Sequence, residues 1–218
     1  MPAPPGNHRR AALHRLLTEA RDLGFLGSGP VEGQLEHADA FAGAIESAWT
    51  PSPPSAVADL GSGGGVPGLV LAARWEAPSF LLVEARGRRA AFLRHAVGEL
   101  GLGGRVVVEA TRAEVVGRTP ERRAAFDVVT GRGFGRPAVV AECAAPLLKV
   151  GGLLAVSEPP PGSRGVPGRW PEDRLAELGM GRVGPVRSAY GFVLVFQERP
   201  CPDRFPRRVG VPAKRPLF

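Results

Sequence analysis

Glycines at alternate positions follow a short apolar run, in a pattern typical of a ligand-binding turn. The run contains one carboxylate, Asp59, and is followed by Gly61, Gly63 and Gly65. Glycines there let a ligand approach the backbone closely, because no Cβ stands in the way. The dinucleotide fingerprint G-x-G-x-x-G would need another glycine at position 66, where this chain has Val66. The turn therefore favours a nucleoside without a pyrophosphate.

A second carboxylate stands at the end of the next apolar run. Glu84 comes directly after Phe80–Val83, where a carboxylate can accept hydrogen bonds from both hydroxyls of a ribose. Taken separately, a glycine turn can be a tight connection in a chain with 30 glycines, and an acidic residue at a strand end is usually solvated. Together, they favour an adenosine ligand that lacks phosphates, of which S-adenosylmethionine is the commonest.

Length and composition indicate one domain of ordinary size. The chain has 218 residues, 44% of them hydrophobic, and a formal net charge of +7. No apolar run approaches the roughly 20 residues of a membrane span, and no secretory signal is expected. Two cysteines, Cys143 and Cys201, make neither a disulfide framework nor a four-ligand zinc site, and the four histidines show no metal-ligand spacing. We expect a cytoplasmic monomer without a metal or a membrane contact.

Positive charge is concentrated in the C-terminal segment, residues 199–218. The segment holds six basic side chains against the single acid Asp203. Because it is also proline-rich and weakly apolar, we expect it to pack little and to lie on a phosphate backbone. A solvated tail without a partner is the alternative. The residues expected to contact RNA are Arg207, Arg208, Lys214 and Arg215.

Apolar runs and helical patterns alternate between residues 55 and 198. This alternation predicts a mostly parallel sheet with helices on both faces, followed by an antiparallel hairpin at the sheet edge. Residues 1–54 are predicted as a helical N-terminal extension, with helices within 8–26 and 35–49. The predicted strands are 56–60, 80–84, 105–109, 126–130, 153–157, 182–188 and 192–197, and the other predicted helices are 66–74, 87–100, 137–148 and 171–178.

The loops after the first four predicted strands are expected to build the site. In an open parallel sheet, a ligand lies at the carboxyl ends of the strands, where the strand order reverses. These loops contain Gly61–Val66, Glu84, Thr111–Glu114 and Gly131–Phe134.

Several of these segments resemble the RsmG (GidB) family of S-adenosylmethionine-dependent methyltransferases, which modify N7 of a guanine in 16S ribosomal RNA. Residues 59–68 (DLGSGGGVPG) are similar to the family's D-V-G-T/S-G-x-G-x-P-G signature, and 112–114 (RAE) to its R-x-E turn. Residues 126–134 (FDVVTGRGF) resemble F-D-V-V-x-S-R-A-F, and 146–152 (PLLKVGG) resemble P-L-L-K-x-G-G. The most specific match is 205–217 (FPRRVGVPAKRPL), which resembles the terminal Y-P-R-R-x-G-x-P-x-K-x-P-L.

The resemblance implies a Rossmann-like class I methyltransferase fold, with 16S ribosomal RNA or the small ribosomal subunit as partner. The cofactor contacts that it implies are Gly61, Val66, Ala113, Glu114 and Arg132, to which the turn and the next strand add Asp59, Gly63 and Glu84. Ala113 and Glu114 are expected to meet the adenine. Arg132 is expected to reach the methionine carboxylate or an RNA phosphate, as the catalytic residue.

The implied chemistry needs no general base. Guanine N7 carries a free lone pair that can attack a sulfonium methyl group without first losing a proton, so catalysis rests on positioning. The chain departs from the family on the substrate side. The N-terminal W-N-x-x-x-N-L-T stretch is missing, Gly131 replaces a serine, and the lysine after the fifth strand is replaced within Ala155–Pro159.

Two alternatives stay open beside this reaction. One is a methyltransferase with the same cofactor site that acts on a small molecule or on another RNA. The other is a non-catalytic RNA-binding relative, which the intact glycines and Glu84 disfavour.

Overall fold

The structure is a computed structural model that describes residues 5–49, 53–158, 168–187 and 190–218. These residues form one seven-stranded sheet with helices on both faces. The strands are β1 (Ala56–Leu60), β2 (Ser79–Val83), β3 (Val106–Glu109), β4 (Phe126–Gly131), β5 (Leu148–Glu158), β6 (Met180–Arg187) and β7 (Gly191–Gln197). The helices are α1 (Pro5–Asp22), α2 (Val31–Ala48), α3 (Gly68–Arg74), α4 (Gly87–Glu99), α5 (Ala113–Val116), α6 (Pro137–Ala144), α7 (Glu172–Leu175) and α8 (Val211–Lys214).

The strand order across the sheet is β3-β2-β1-β4-β5-β7-β6. β1 pairs in parallel with both β2 and β4, while β7 runs antiparallel between β5 and β6. The mostly parallel sheet with an antiparallel edge hairpin is therefore confirmed. The direction of the strand order reverses between β1 and β4, where open α/β sheets bind their ligands.

Continuous apolar runs suit the central strands because helices cover both faces of the sheet. All six residues of β4 are buried. On one face, α1 to α4 share an apolar cluster that includes Phe41 and Leu93. On the other face, α5, α6, α7 and part of the C-terminal segment share a cluster that includes Cys143 and Phe205. α1 and α2 thus pack into the same core as the sheet.

Some predicted boundaries differ from the structure. The helix predicted at 137–148 is α6 followed by a 3₁₀ turn at Ala145–Leu147, because Pro146 has no N–H for an α-helical hydrogen bond. β5 consequently starts earlier than predicted, at Leu148. The sequence does not predict α5 or α8, since each has only four residues and cannot show a helical period.

None of the helices in the described ranges is long and apolar enough to cross a membrane. Over the same residues, no group of three or more His, Cys, Asp or Glu side chains could hold a metal ion.

Candidate active site

A buried carboxylate fixes the glycine turn after β1. Asp59 is 1% exposed and accepts hydrogen bonds from Thr130 Oγ1 at 2.7 Å and from the Gly68 amide at 3.3 Å. It therefore ties together β1, β4 and the start of α3. Burial raises the pKa of Asp59 above its ordinary value. Asp59 lines neither of the two cavities described below and acts by holding the turn in place.

Glu84, at the end of β2, faces the same turn. Its side chain is almost fully buried, and its Oε2 accepts from the Gly63 amide at 2.9 Å while Oε1 accepts from the Arg86 amide at 2.8 Å. Each carboxylate oxygen can accept about two hydrogen bonds. One acceptor position therefore remains on each oxygen, as the two hydroxyls of a ribose require.

A cleft of about 570 Å³ opens above the carboxyl ends of β1, β2 and β4. We call it the glycine-turn cleft. It brings together four of the predicted residues, Gly61, Glu84, Ala113 and Glu114. Its volume lies within the range of sites for small ligands. Phe134, from a loop expected to build the site, also lines the cleft, whereas sequence reasoning missed other lining residues, among them Arg86, Arg89, Arg136 and Ala213.

The backbone at Gly61 has a conformation that only glycine adopts easily. Its φ is +69°, and a Cβ at this position would lie 2.7 Å from Cδ2 of Phe134. The position therefore requires glycine both for the turn and for the close approach of a neighbouring group. The group that approaches the turn here is the Phe134 ring, which takes the space that a Cβ would need.

One wall of the glycine-turn cleft is formed by Ala113 and Glu114 at the start of α5. Burial acts to raise the pKa of Glu114, but hydrogen bonds from Arg112 and from the Gly210 amide outweigh it, so the pKa lies below its ordinary value. The carboxylate is thus largely engaged by the protein. The N-cap residue Arg112 makes no side-chain hydrogen bond to the first turn of α5, and a helix supplies no carbonyl partner for its first amides, such as that of Ala113.

Four residues predicted to bind the cofactor do not line the cleft: Asp59, Gly63, Val66 and Arg132. Val66 is 5% exposed and belongs to the apolar cluster on the α1–α4 face. Gly63 is linked to the cleft through its hydrogen bond to Glu84. The structure thus places Val66 in the core and gives Gly63 a role in orienting Glu84.

A second cavity, of about 520 Å³, lies beside the first at the ends of β4 and β5. We call it the β4–β5 cavity. The loop Gly131–Gly135 separates the two, since Gly133, Phe134 and Gly135 line both. The other lining side chains include His37, Arg132, Glu158, Trp170 and Tyr190.

Arg132 lines this second cavity and not the glycine-turn cleft. Its Nη2 donates a hydrogen bond to Gln34 Oε1 of α2. Its Nη1 is buried and has no hydrogen-bond partner among the described residues. Burial lowers the pKa of the guanidinium from its ordinary value. An unpaired donor at the partition between the cavities is suited to an anionic or carbonyl group of a bound molecule.

The C-terminal segment is packed on the core, so the expectation of a loosely packed tail is wrong. Arg207 donates from Nε and from its backbone amide to Glu142 Oε1, both at 2.8 Å. Glu142 belongs to α6 and is fully buried, at 0% exposure. The guanidinium of Arg207 is therefore engaged within the protein. The other residues predicted to contact RNA, Arg208, Lys214 and Arg215, are exposed.

The same segment forms part of the glycine-turn cleft. The Gly210 amide donates to Glu114 Oε1 at 3.0 Å, and Ala213 of α8 lines the cleft. Arg123 Nη1 donates to the Phe205 carbonyl at 2.8 Å and anchors the start of the segment. The chain terminus thus holds the α5 end of the cleft.

His37, which lines the β4–β5 cavity, should make the stability of the folded protein depend on pH. It packs edge-on against Tyr190, with ring centroids 4.7 Å apart, and its burial, with the nearby charge of Arg132, lowers its pKa from 6.5 to about 4. Between these values the unfolded chain binds a proton that the folded protein does not, so stability falls as the pH falls from 6.5 to 4.

We expect the melting temperature of the wild type to fall more steeply over this window than that of His37→Gln, in thermal melts at several pH values. The exposed His95→Gln is the control, and equal slopes in all three proteins would contradict the assignment.

The sequence of this chain is similar to those of one protein family. Residues 44–157 match the model of GidB, described as rRNA small subunit methyltransferase G. The Ribosomal RNA small subunit methyltransferase G of Roseiflexus castenholzii is 40% identical over 170 residues, which cover 76% of this chain and 72% of the relative. The protein of the same name from Symbiobacterium thermophilum is 36% identical, over 99% of this chain and 92% of its own.

Comparison with solved structures gives the same fold class. An O-methyltransferase from Bacillus cereus in complex with SAH superimposes with a TM-score of 0.61, over 85% of this chain and 90% of that chain, at 16% identity. At that identity the similarity shows the fold alone. The sequence matches, which span more than half of the chain, show the family: this chain belongs to the rRNA small subunit methyltransferase G (GidB) family.

Proposed function

We propose that this protein transfers the methyl group of S-adenosylmethionine to N7 of a guanine in 16S ribosomal RNA. The observation that carries the cofactor assignment is Glu84, whose two oxygens each keep an acceptor position beside the glycine turn. Family membership supports the ribosomal RNA as substrate. The proposal includes a monomeric enzyme that meets its ribosomal substrate in the cytoplasm.

The residues of the glycine-turn cleft fit such a cofactor. Gly61 places no side chain in the turn, Glu84 offers the two ribose acceptors, and the Ala113 amide at the start of α5 can donate to adenine. When bound, the cofactor supplies an electrophilic methyl group on sulfur. The protein's task is to hold guanine N7 in line with that group and to exclude water, because N7 has no proton to lose.

Basic side chains at the mouth of the cleft are suited to phosphates. Arg86 and Arg136 are exposed and line the opening. The exposed residues of the C-terminal segment (Arg208, Lys214 and Arg215) extend the same charge. We propose that these arginines and the lysine bind the RNA backbone, which would make RNA affinity fall with rising salt concentration.

A substitution at Gly63 tests the cofactor site. Its φ is +55°, a conformation that costs a β-branched residue about 1–3 kcal/mol. The added Cβ itself meets only ordinary contacts, the nearest at 3.6 Å. Gly63→Val should therefore shift the turn and its hydrogen bond to Glu84, and weaken S-adenosylmethionine binding about 10- to 100-fold in calorimetric titration.

The matched control is Gly104→Val, at an exposed glycine whose Cβ would meet nothing within 4 Å. It should bind the cofactor as the wild type does. The wild type should bind S-adenosylmethionine and show no tight binding of NAD. Tight NAD binding without a response to S-adenosylmethionine would rule the assignment out.

The transfer itself is tested with radiolabelled S-adenosylmethionine and two substrates, naked 16S RNA and small ribosomal subunits. The proposal expects label in one guanine of the 16S RNA, recovered as 7-methylguanosine after digestion. Label recovered in another nucleoside, in another RNA or in a small molecule would replace the proposed acceptor. No transfer to any acceptor by a protein that binds the cofactor would indicate a non-catalytic relative.

A further inference from the structure

The β4–β5 cavity has the walls of a pocket for a flat, polar ring. Trp170, 8% exposed, and Phe134 supply aromatic surface. Aromatic faces and edges are what proteins use to hold a base that has left its helical stack. The cavity shares the Gly131–Gly135 loop with the glycine-turn cleft, so a ring held there lies next to the proposed methyl donor.

One carboxylate stands in this cavity, and it is only partly used by the protein. Glu158, the last residue of β5, accepts from Trp170 Nε1 at 3.0 Å through Oε1 and pairs with Arg169 through Oε2. Its side chain is 18% exposed. Since a carboxylate oxygen accepts about two hydrogen bonds, one acceptor position on each oxygen remains for a ligand.

The charge of Glu158 selects the kind of group that can bind. A carboxylate repels phosphate and attracts paired N–H donors. Guanine presents two adjacent donors on its Watson–Crick edge, N1–H and the N2 amine, which match the two oxygens. Adenine presents an acceptor, N1, beside its amine, and would leave a lone pair facing the carboxylate. Glu158 lies within Ala155–Pro159, the stretch that departs from the pattern of the resembled family.

We propose that the β4–β5 cavity receives the target guanine, turned out of its RNA stack, and that Glu158 determines the specificity by accepting hydrogen bonds from N1–H and the N2 amine. This inference rests on the proposed function. N7 lies on the opposite edge of the purine from N1 and N2. A guanine held at the end of β5 by its Watson–Crick edge therefore turns N7 back toward the Gly131–Gly135 loop and the methyl donor beyond it.

The test compares guanosine with inosine, which lacks only the N2 amine. Once the methylated guanine has been located, 16S RNA is assembled with guanosine or inosine at that position. Methyl transfer is then measured for the wild type, Glu158→Ala, Glu158→Gln and the exposed control Glu121→Gln. For the wild type and the control, we expect inosine to lower kcat/KM about 10-fold, because an acceptor loses its donor.

For Glu158→Ala and Glu158→Gln, kcat/KM with guanosine should fall about 10- to 100-fold, and the difference between guanosine and inosine should disappear. Cofactor affinity, measured on the same samples, should stay near that of the wild type. The melting temperature should stay near that of the wild type for Glu158→Gln, whose amide oxygen can still accept from Trp170 Nε1, and should fall for Glu158→Ala, which leaves that donor unpaired. If the variants still prefer guanosine as strongly as the wild type, the role of Glu158 is overturned while the proposed function stands. If the wild type forms no 7-methylguanosine in 16S RNA, both are overturned.

Discussion

Arg207→Ala should lower the melting temperature by about 10 °C, since a broken buried ion pair costs about 3–5 kcal/mol and each kcal/mol is worth about 2–4 °C in a domain of this size. The reason is Glu142, which is 0% exposed and accepts three hydrogen bonds from Arg207, of which those from Nε and Nη2 are lost in the variant and that from the backbone amide is kept. Without the guanidinium, a charge stays buried with its main partner removed. Thermal melts followed by circular dichroism measure the effect.

The same substitution should also weaken cofactor binding below the melting temperature. Arg207 anchors the segment whose Gly210 amide holds Glu114 and whose Ala213 lines the glycine-turn cleft. Losing the anchor should loosen the α5 wall and reduce S-adenosylmethionine affinity. The same titration on Arg207→Lys should show partial recovery, since lysine keeps the charge but lacks the planar fork.

The neighbouring Arg208→Ala is the matched control. Arg208 has the same side chain one position later and is exposed, so its loss should leave stability and cofactor affinity nearly unchanged and affect only RNA binding. If Arg207→Ala and Arg208→Ala behaved alike in melting and in titration, the ion pair with Glu142 would have no structural role.

Arg132→Ala should lower the rate of methyl transfer about 100-fold or more, the usual loss when a buried donor at a reacting centre is removed. Arg132 stands at the partition between the two cavities with Nη1 unpaired among the described residues. Within the part of the chain that the structure describes, the Arg132 side chain hydrogen-bonds to Gln34 alone, so the melting temperature should change little. Steady-state and single-turnover kinetics on 16S RNA measure the loss.

Lysine at this position should restore only part of the rate, because it cannot offer two parallel donors to one acceptor group. Arg118→Ala, an exposed arginine that lines neither cavity, serves as the control. Unchanged turnover in Arg132→Ala would remove this residue from the site and leave the Gly131–Gly135 loop without a known role.

The cofactor side of the site could be predicted because its determinants are local in sequence. Gly61 and Glu84 each end an apolar run, and the positions of β1 and β2 follow from those runs. Parallel pairing then brings the two loops together at one edge of the sheet. No long-range contact had to be known.

The C-terminal segment could not be predicted, because its partners are distant in sequence. Arg207 and Glu142 are 65 positions apart, and a count of charges in the segment takes no account of a carboxylate on α6. The packed state depends on that pairing, so composition alone indicated a loosely packed segment. α8 has four residues and adds no helical period.

The β4–β5 cavity could be predicted only in part. The position of Arg132 after β4 predicted that it lies in a site loop, but which side of the loop it faces depends on its contact with Gln34 of α2. Glu158 and Trp170 come together because the chain returns after β5 to α7. Nothing in the spacing of these two residues indicates that they share a cavity.

The central claim is that this chain methylates N7 of a guanine in 16S ribosomal RNA. The most direct measurement is mass spectrometry of nucleosides from 16S RNA, mapped to position, in a strain that lacks the gene and in the same strain carrying the wild type or Arg132→Ala. The account predicts that one 7-methylguanosine is absent without the gene, restored by the wild type and not by Arg132→Ala. An identical set of modified nucleosides in 16S RNA with and without the gene would contradict it.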